Sequence, residues 1–433
     1  MITRQNATAL LLAASFMPSA LTPAVCLTAA ENDSSIQATE TQSETQVATE
    51  TNTVDTEFSN LMHAIHLTDD IAKDKKNVML SPTSLNFALG MLAEGADGKT
   101  KEELTNYLGC SDFSTYAKNY LDKMGKFNYE HGGYMPNGAL DDTAYTAKLK
   151  LANAIWMDKQ LPINDTYQTV VEDYFQGMAR TLDFSDAMAA CQEINGWAEK
   201  NTEGMISDII SPEAISQDSK LCITNSVYFE SPWAKEPWDV EPEETIFTAL
   251  DGKQERTRFL TTDADAYYEN ENATAFGRNY DNGLEFIGIL PKEEGAFTLQ
   301  GLDIQSLLSS NPTYDSVEAK MPRLDFTTSA ELTEILKTEG LTTALSDKAD
   351  YSGISKEALA VGHILQKTNL QLDENGTKAA AVTAITMETC SLPVQPENGK
   401  EVVLNRPFAF LIYDSENKEV LFMGKVVTSQ MEK

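Results

Sequence analysis

Histidine and cysteine are scarce in this chain, four and five among 433 residues. His63, His66, His131 and His363 occupy unrelated contexts, and none forms an HExxH pair. Cys26, Cys110, Cys191, Cys222 and Cys390 lie far apart, which excludes a paired-cysteine metal site and a dense disulfide framework. Cys110, Cys191 and Cys222 read as buried or idle thiols. His63 and His66 are three apart with no further ligand nearby, so they read as a solvated helix face. Positive charge is short as well. Against 66 Asp+Glu stand 33 Lys+Arg, and the formal charge of −33 argues against nucleic acid or an anionic membrane surface as partner.

Catalytic signatures are missing too. There is no Gly-x-Ser-x-Gly elbow and no GxGxxG opening a helix. Gly98-Lys99-Thr100 invites a phosphate-loop reading, but Ala93 stands where the upstream glycine is needed and a helical pattern precedes it. Catalytic triads are spatial rather than sequential, yet nothing in the sequence makes a positive case for one. The expectation is a protein that is not an enzyme, with no catalytic residue, no metal and no cofactor.

No apolar run is long enough to span a bilayer. Residues 1–30 have the form of a secretory signal: Arg4, an apolar run from Ala9 to Ala20, then Thr28-Ala29-Ala30. Pro23-Ala24-Val25-Cys26 fits a lipoprotein cleavage box poorly, so a lipidated Cys26 is the minor reading. Residues 31–56 are rich in Thr, Glu, Gln and Ser and read as a disordered tether. The folded unit is expected over 57–430, secreted or tethered to the cell surface.

Within that unit, Phe58 to Ile71 follows a helical period. Ser81 is a helix N-cap with Pro82 at the first position, and the helix is apolar enough to be buried until it stops at Gly95. Thr100 to Glu103 reads as a capping box for a second helix ended by Gly109. Tyr167 to Phe175 and Ala190 to Asn201 read as helices. Leu149 to Trp156, Leu221 to Phe229 and Leu284 to Pro291 read as strands, the last two buried on both faces. Asn225, in the middle of one, needs buried partners. Asp251-Gly252 marks a hairpin turn. Val317 to Phe326 reads as one strand leading to a helix over Ala330 to Glu339, and Asn405 to Val427 as a strand hairpin.

The stretch from Leu370 to Val394 organises the rest. It begins as a strand and turns at Asp373-Glu374-Asn375-Gly376. Thr377 to Ala384 then has two readings. One is a short Ala-rich helix. The other takes the run at period two, with Thr377, Ala379, Ala381 and Thr383 making one face of small residues. Such a face fits between two existing strands over a packed core, with Lys378 on the solvent side.

Glu-x-Gly-Thr-x-Ala-Ala-Ala followed by a long loop resembles the hinge and reactive loop of serpins. The resemblance extends through NVMLSPTSLNFALGMLAEGADGKTKEEL, INGWAEKNTEGMISDII and the C-terminal NRPFAFLIYDSENKEVLFMGKVV, in the family's order over about residues 57 to 428. It points to a secreted, bacterial-type member. It implies an α+β serpin fold: a large central mixed β-sheet, further sheets, surrounding helices and an exposed reactive-centre loop.

It also implies a function. A serine protease cuts the loop and becomes acylated on its own serine. The freed hinge then inserts as a new strand in the central sheet and distorts the enzyme before it deacylates. The hinge residues would be Glu374, Gly376, Thr377, Ala379, Ala380, Ala381 and Thr383. Counted from Gly376, the family spacing places the cut at Cys390-Ser391, with Thr389-Cys390 as the near alternative. Small uncharged residues there suit an elastase-like or subtilisin-like enzyme rather than a trypsin-like one. Ser81, Ser84 and Asn225 match the family's polar cluster beneath the opening sheet, with Gln366 in place of its usual histidine. Trp233 matches a tryptophan where insertion starts. The expected partner is an extracellular serine protease met by a monomer. A non-inhibitory binding protein of the same fold is the alternative, although the small hinge residues argue against it.

Overall fold

The computed structural model describes residues 56–74, 76–131, 145–215, 219–310, 312, 317–377 and 399–431. The signal-like segment, nearly all of the tether, the hinge residues Ala379, Ala380, Ala381 and Thr383, and the bonds around Thr389, Cys390 and Ser391 lie outside these residues.

Among the described residues there are eight α-helices and three β-sheets, an α+β architecture. The central sheet has seven strands. Across it run Leu324–Glu331, Val361–Leu372, the two-residue Gly376–Thr377, Leu221–Pro232, Tyr145–Asp158 and Tyr129–His131, with Met178–Leu182 also paired to Tyr145–Asp158. Most neighbours are antiparallel, but Val361–Leu372 runs parallel to Leu221–Pro232, and Met178–Leu182 parallel to Tyr145–Asp158. A six-stranded sheet containing the C-terminal hairpin Phe408–Asp414 and Glu419–Val426, and a four-stranded sheet around Gln254–Asp263, complete the β structure.

The helix Pro82–Gly95 lies in the largest apolar cluster, with every residue except Glu94 buried. Its apolar residues surround the whole axis, as a helix enclosed on all sides requires. Ser81 caps it, its hydroxyl accepting from the Ser84 amide, and Pro82 fills the first turn. That cap places two serines beneath the central sheet.

Three expectations are corrected. Thr100 and Glu103 do not form a capping box: Asp97 caps the helix Gly98–Leu108. The Thr100 hydroxyl instead accepts from the Asp350 amide, and the Glu103 carboxylate accepts from the amides of Thr343 and Ala344. Both side chains are taken by a neighbouring loop. Val317 to Phe326 is two strands rather than one, Val317–Pro322 and Leu324–Glu331, in different sheets, and since the second strand takes Ala330 and Glu331 the helix expected from Ala330 covers only Thr333–Thr338. Pro322 has no amide to continue the first ladder, and Arg323 is the joint. His63 is not on a solvated face. Its ring stacks on Tyr107 at 3.9 Å and 6°, and burial lowers its pKa to about 4.

Candidate functional site

The strand Leu221–Pro232 is buried along nearly its whole length because both of its faces are covered. It pairs with Val361–Leu372 through seven residue pairs, from Leu221 opposite Val361 to Val227 opposite Thr368. Beyond Val227 and Thr368 the two strands no longer pair with each other. Gly376–Thr377 sits between them there, with Gly376 opposite Pro232 and Thr377 opposite both Ser231 and Leu372. The central sheet is therefore zipped over one part and wedged open at one end.

The turn that delivers the wedge is held by backbone and side-chain bonds. The Asp373 amide donates to the Gly376 carbonyl at 2.9 Å, and the Asn375 amide to Asp373 Oδ1 at 2.8 Å. Trp233 and Trp238 amides donate to the carbonyls of Asn375 and Glu374. Arg323, at the joint between the two split strands, donates from Nε and Nη2 to Glu374 Oε2, each at 2.8 Å. Nothing local in the sequence paired these two residues.

Gly376 has a strict steric reason. Its φ is +152°, and a Cβ there would fall 2.3 Å from the Ser231 carbonyl oxygen and 2.7 Å from Pro232 Cα. Neighbouring backbone leaves no room, so the wedge enters only through a glycine.

Thr377 is 2% exposed. Its hydroxyl lies 2.6 Å from the Tyr280 hydroxyl. Burial pushes the Tyr280 phenol far above its ordinary pKa, so it keeps its proton and can donate. Trp233 stacks on Tyr280 with ring centres 4.5 Å apart, and its indole Nε1 donates to the Asp373 carbonyl at 3.4 Å. The matched tryptophan thus lies against the point where the wedge enters. Sequence reasoning did not single out Tyr280; its part depends on a partner 97 residues away.

The zipped part has a polar cluster under it. Gln366 and Asn225 are opposite each other in the parallel ladder. Gln366 Nε2 donates to Asn225 Oδ1 and to the Ser81 carbonyl, while its Oε1 accepts from the Ser81 amide at 2.8 Å. Asn225 Nδ2 donates to Ser84 Oγ at 2.6 Å and to Asn153 Oδ1. Ser81, Ser84, Asn225 and Gln366 are thus one buried network. Asn153 joins it unanticipated, although it too is a lone amide in an apolar strand, the signal that marked Asn225. On the sheet's other face, Lys367 Nζ donates to the carbonyl and carboxylate of Asp208. That contact ties the strand to the segment following the helix Ala187–Asn201.

Nothing among the described residues resembles a metal centre: no group of three or more His, Cys, Asp or Glu could hold an ion. No described helix is long and apolar enough to cross a membrane.

Comparison with known proteins agrees in one direction. The family described as Serpin (serine protease inhibitor) matches residues 59–429. An uncharacterized serpin-like protein of Thermococcus kodakarensis is 31% identical over 366 residues, covering 83% of this chain and 82% of the relative. Human Serpin B12 is 27% identical over 401 residues, covering 85% and 98% respectively. Among solved structures, the native state of the thermophilic serpin tengpin superposes with a TM-score of 0.73 at 28% identity, covering 86% of this chain and 94% of that one.

Proposed function

This chain belongs to the serpin family, whose members generally inhibit serine proteases, and from that premise we propose that it is a secreted suicide-substrate inhibitor of an elastase-like or subtilisin-like enzyme. The observation that carries the reading is the two-residue wedge between strands that are zipped below it.

The wedge is antiparallel to both neighbours, so it is in register to lengthen. Carried on two residues at a time, that register brings Ala379 level with Phe229 and Leu370, and Ala381 level with Val227 and Thr368. Thr383 then comes level with Asn225 and Gln366. These are the small residues of the face that Thr377 turns into the core. Lys378 would fall on the opposite face.

Insertion breaks one ladder and builds two. The seven pairs between Leu221–Pro232 and Val361–Leu372 are given up, and a new strand bonds on both sides. At about 0.5–1.5 kcal/mol net per bond, a strand of about 15 residues gains on the order of 10 kcal/mol. That is comparable to a domain's whole stability, so the uncut fold is a kinetic trap. The same strand spans about 50 Å, enough to carry an acylated protease far from where it cut the loop. Gln366, Asn225, Ser81 and Ser84 act as the catch that insertion must part, and Trp233 flanks its entrance.

The test is direct. Mixing the protein with elastase, subtilisin and trypsin, followed by denaturing electrophoresis, is expected to show a covalent complex with one of the first two. Mass spectrometry should place the cut at Cys390-Ser391, or at Thr389-Cys390. Loop cleavage by a non-target protease should raise the melting temperature. Degradation with no trapped complex and no rise in melting temperature would overturn the reading.

A further inference from the structure

We propose that Tyr280 is a positioning residue for the inserting hinge, holding Thr377 in the open end of the sheet before any protease arrives. Two buried hydroxyls meet there, and each satisfies the other. Tyr280 belongs to neither strand that must part. It follows the strand Ala273–Asn279 of the six-stranded sheet, in a tight turn closed by the Tyr280 amide on the Leu284 carbonyl and the Gly283 amide on the Tyr280 carbonyl. Trp233 stacks on one face of its ring, and Phe229 meets it edge-on at 5.0 Å. A fixed residue therefore grips a residue that must move. The turn's other contacts act through backbone atoms or through the side chains of Asp373 and Glu374; the Tyr280 hydroxyl is the partner of the Thr377 side chain.

The consequence rests on the inhibitor reading. After acylation, strand insertion competes with deacylation. A hinge whose first inserting side chain is already seated starts with its least favourable step complete, since the first pair closes a chain for the smallest gain. Losing the seat makes insertion start later and lets more enzyme escape.

The experiment compares Tyr280→Phe, Thr377→Val, Thr377→Ser and the Tyr280→Phe/Thr377→Val double variant. Hydrogen exchange across Glu374 to Thr377 is measured on the intact protein with no protease present. Tyr280→Phe is expected to speed exchange there about fivefold, the weight of one lost hydrogen bond, and leave the ladder from Val361 to Thr368 protected. Thr377→Val should do the same from the other side. The double variant should recover much of the protection because neither hydroxyl is left orphaned. Thr377→Ser, which keeps the hydroxyl, should behave as wild type. If Tyr280→Phe does not fold, the two Thr377 variants carry the comparison.

Exchange unchanged in Tyr280→Phe and in Thr377→Val overturns the proposal. A second readout counts loops cut per protease trapped, expected to rise several-fold in Tyr280→Phe. A rise in exchange without any rise in that count overturns the role in insertion. A loosened hinge in a protein that traps no protease at all keeps the Tyr280 seat and rejects the inhibitor reading, so the two ideas fail separately.

Discussion

Gln366 and Asn225 face each other across the parallel ladder between Leu221–Pro232 and Val361–Leu372, and Gln366 Nε2 donates directly to Asn225 Oδ1. Asn225 is fully buried and Gln366 is 2% exposed, so the bond is shielded from competing water. Asn225→Ala removes an acceptor for Gln366 and the donor to Ser84 and Asn153. We expect a loss of about 1–3 kcal/mol from the uncut protein in urea denaturation, with spontaneous loop insertion on gentle heating. A stability unchanged within error would show that the cluster holds nothing together.

Gly376→Ala should expel the wedge. Its Cβ would meet the Ser231 carbonyl and Pro232 Cα, neither of which can rotate away. The effect is local, since the turn can undock while the ladder from Val361 to Thr368 stays closed. We expect rapid amide exchange from Glu374 to Thr377, nearly unchanged melting of the uncut protein, and poor trapping of protease. Retained protection in that segment would contradict the steric argument.

His63 sets an acid-side limit. Burial beside Tyr107, with a smaller push from His66, lowers its pKa from 6.5 to about 4. Between those values the unfolded chain holds a proton that the native ring refuses, so stability rises with pH. The contribution is whole above pH 6.5 and is lost as pH falls through 4, on the order of 3 kcal/mol in all. His63→Phe keeps a ring against Tyr107. It should reduce the difference in denaturant midpoint between pH 7.5 and pH 4.5; an identical difference in both proteins would count against the assignment.

Glu285 works in the opposite sense. Burial, with a smaller push from the Asp265 charge, raises its pKa from 4.5 to about 7, although Tyr268 donates to it at 2.9 Å. The native state then holds a proton that the unfolded chain has already released. Its contribution is present below pH 4.5 and is lost as pH rises through 7. Glu285→Gln keeps an acceptor for Tyr268. It should stabilise the protein at pH 8, on the order of 3 kcal/mol, and make little difference at pH 4. Equal shifts at both pH values would reject the ionisation account.

Several parts of this molecule follow from local sequence alone. Ser81-Pro82 starts the buried helix, and Gly109 ends the next at a φ of 64°. Asp373 to Gly376 makes the turn that the residue types require. The alternation and capping that produce these elements act within a few residues, so they are visible without a fold. Partner choice is a different matter. Glu103 has the spacing of a capping residue, yet the loop at Thr343 and Ala344 takes its carboxylate. His63 looks solvent-facing until Tyr107 of another helix covers it. The period-two reading of Thr377 to Ala384 stays an expectation beyond Thr377, because the residues that follow lie outside those described. The seat at Thr377 could not be read from sequence, because Tyr280, which follows a strand of another sheet, meets Trp233 and Thr377 only in the folded chain. Local propensity determined what each segment would become; only the packing of distant segments decided which buried polar groups met, since a group cut off from water must bond to whatever the fold brings beside it.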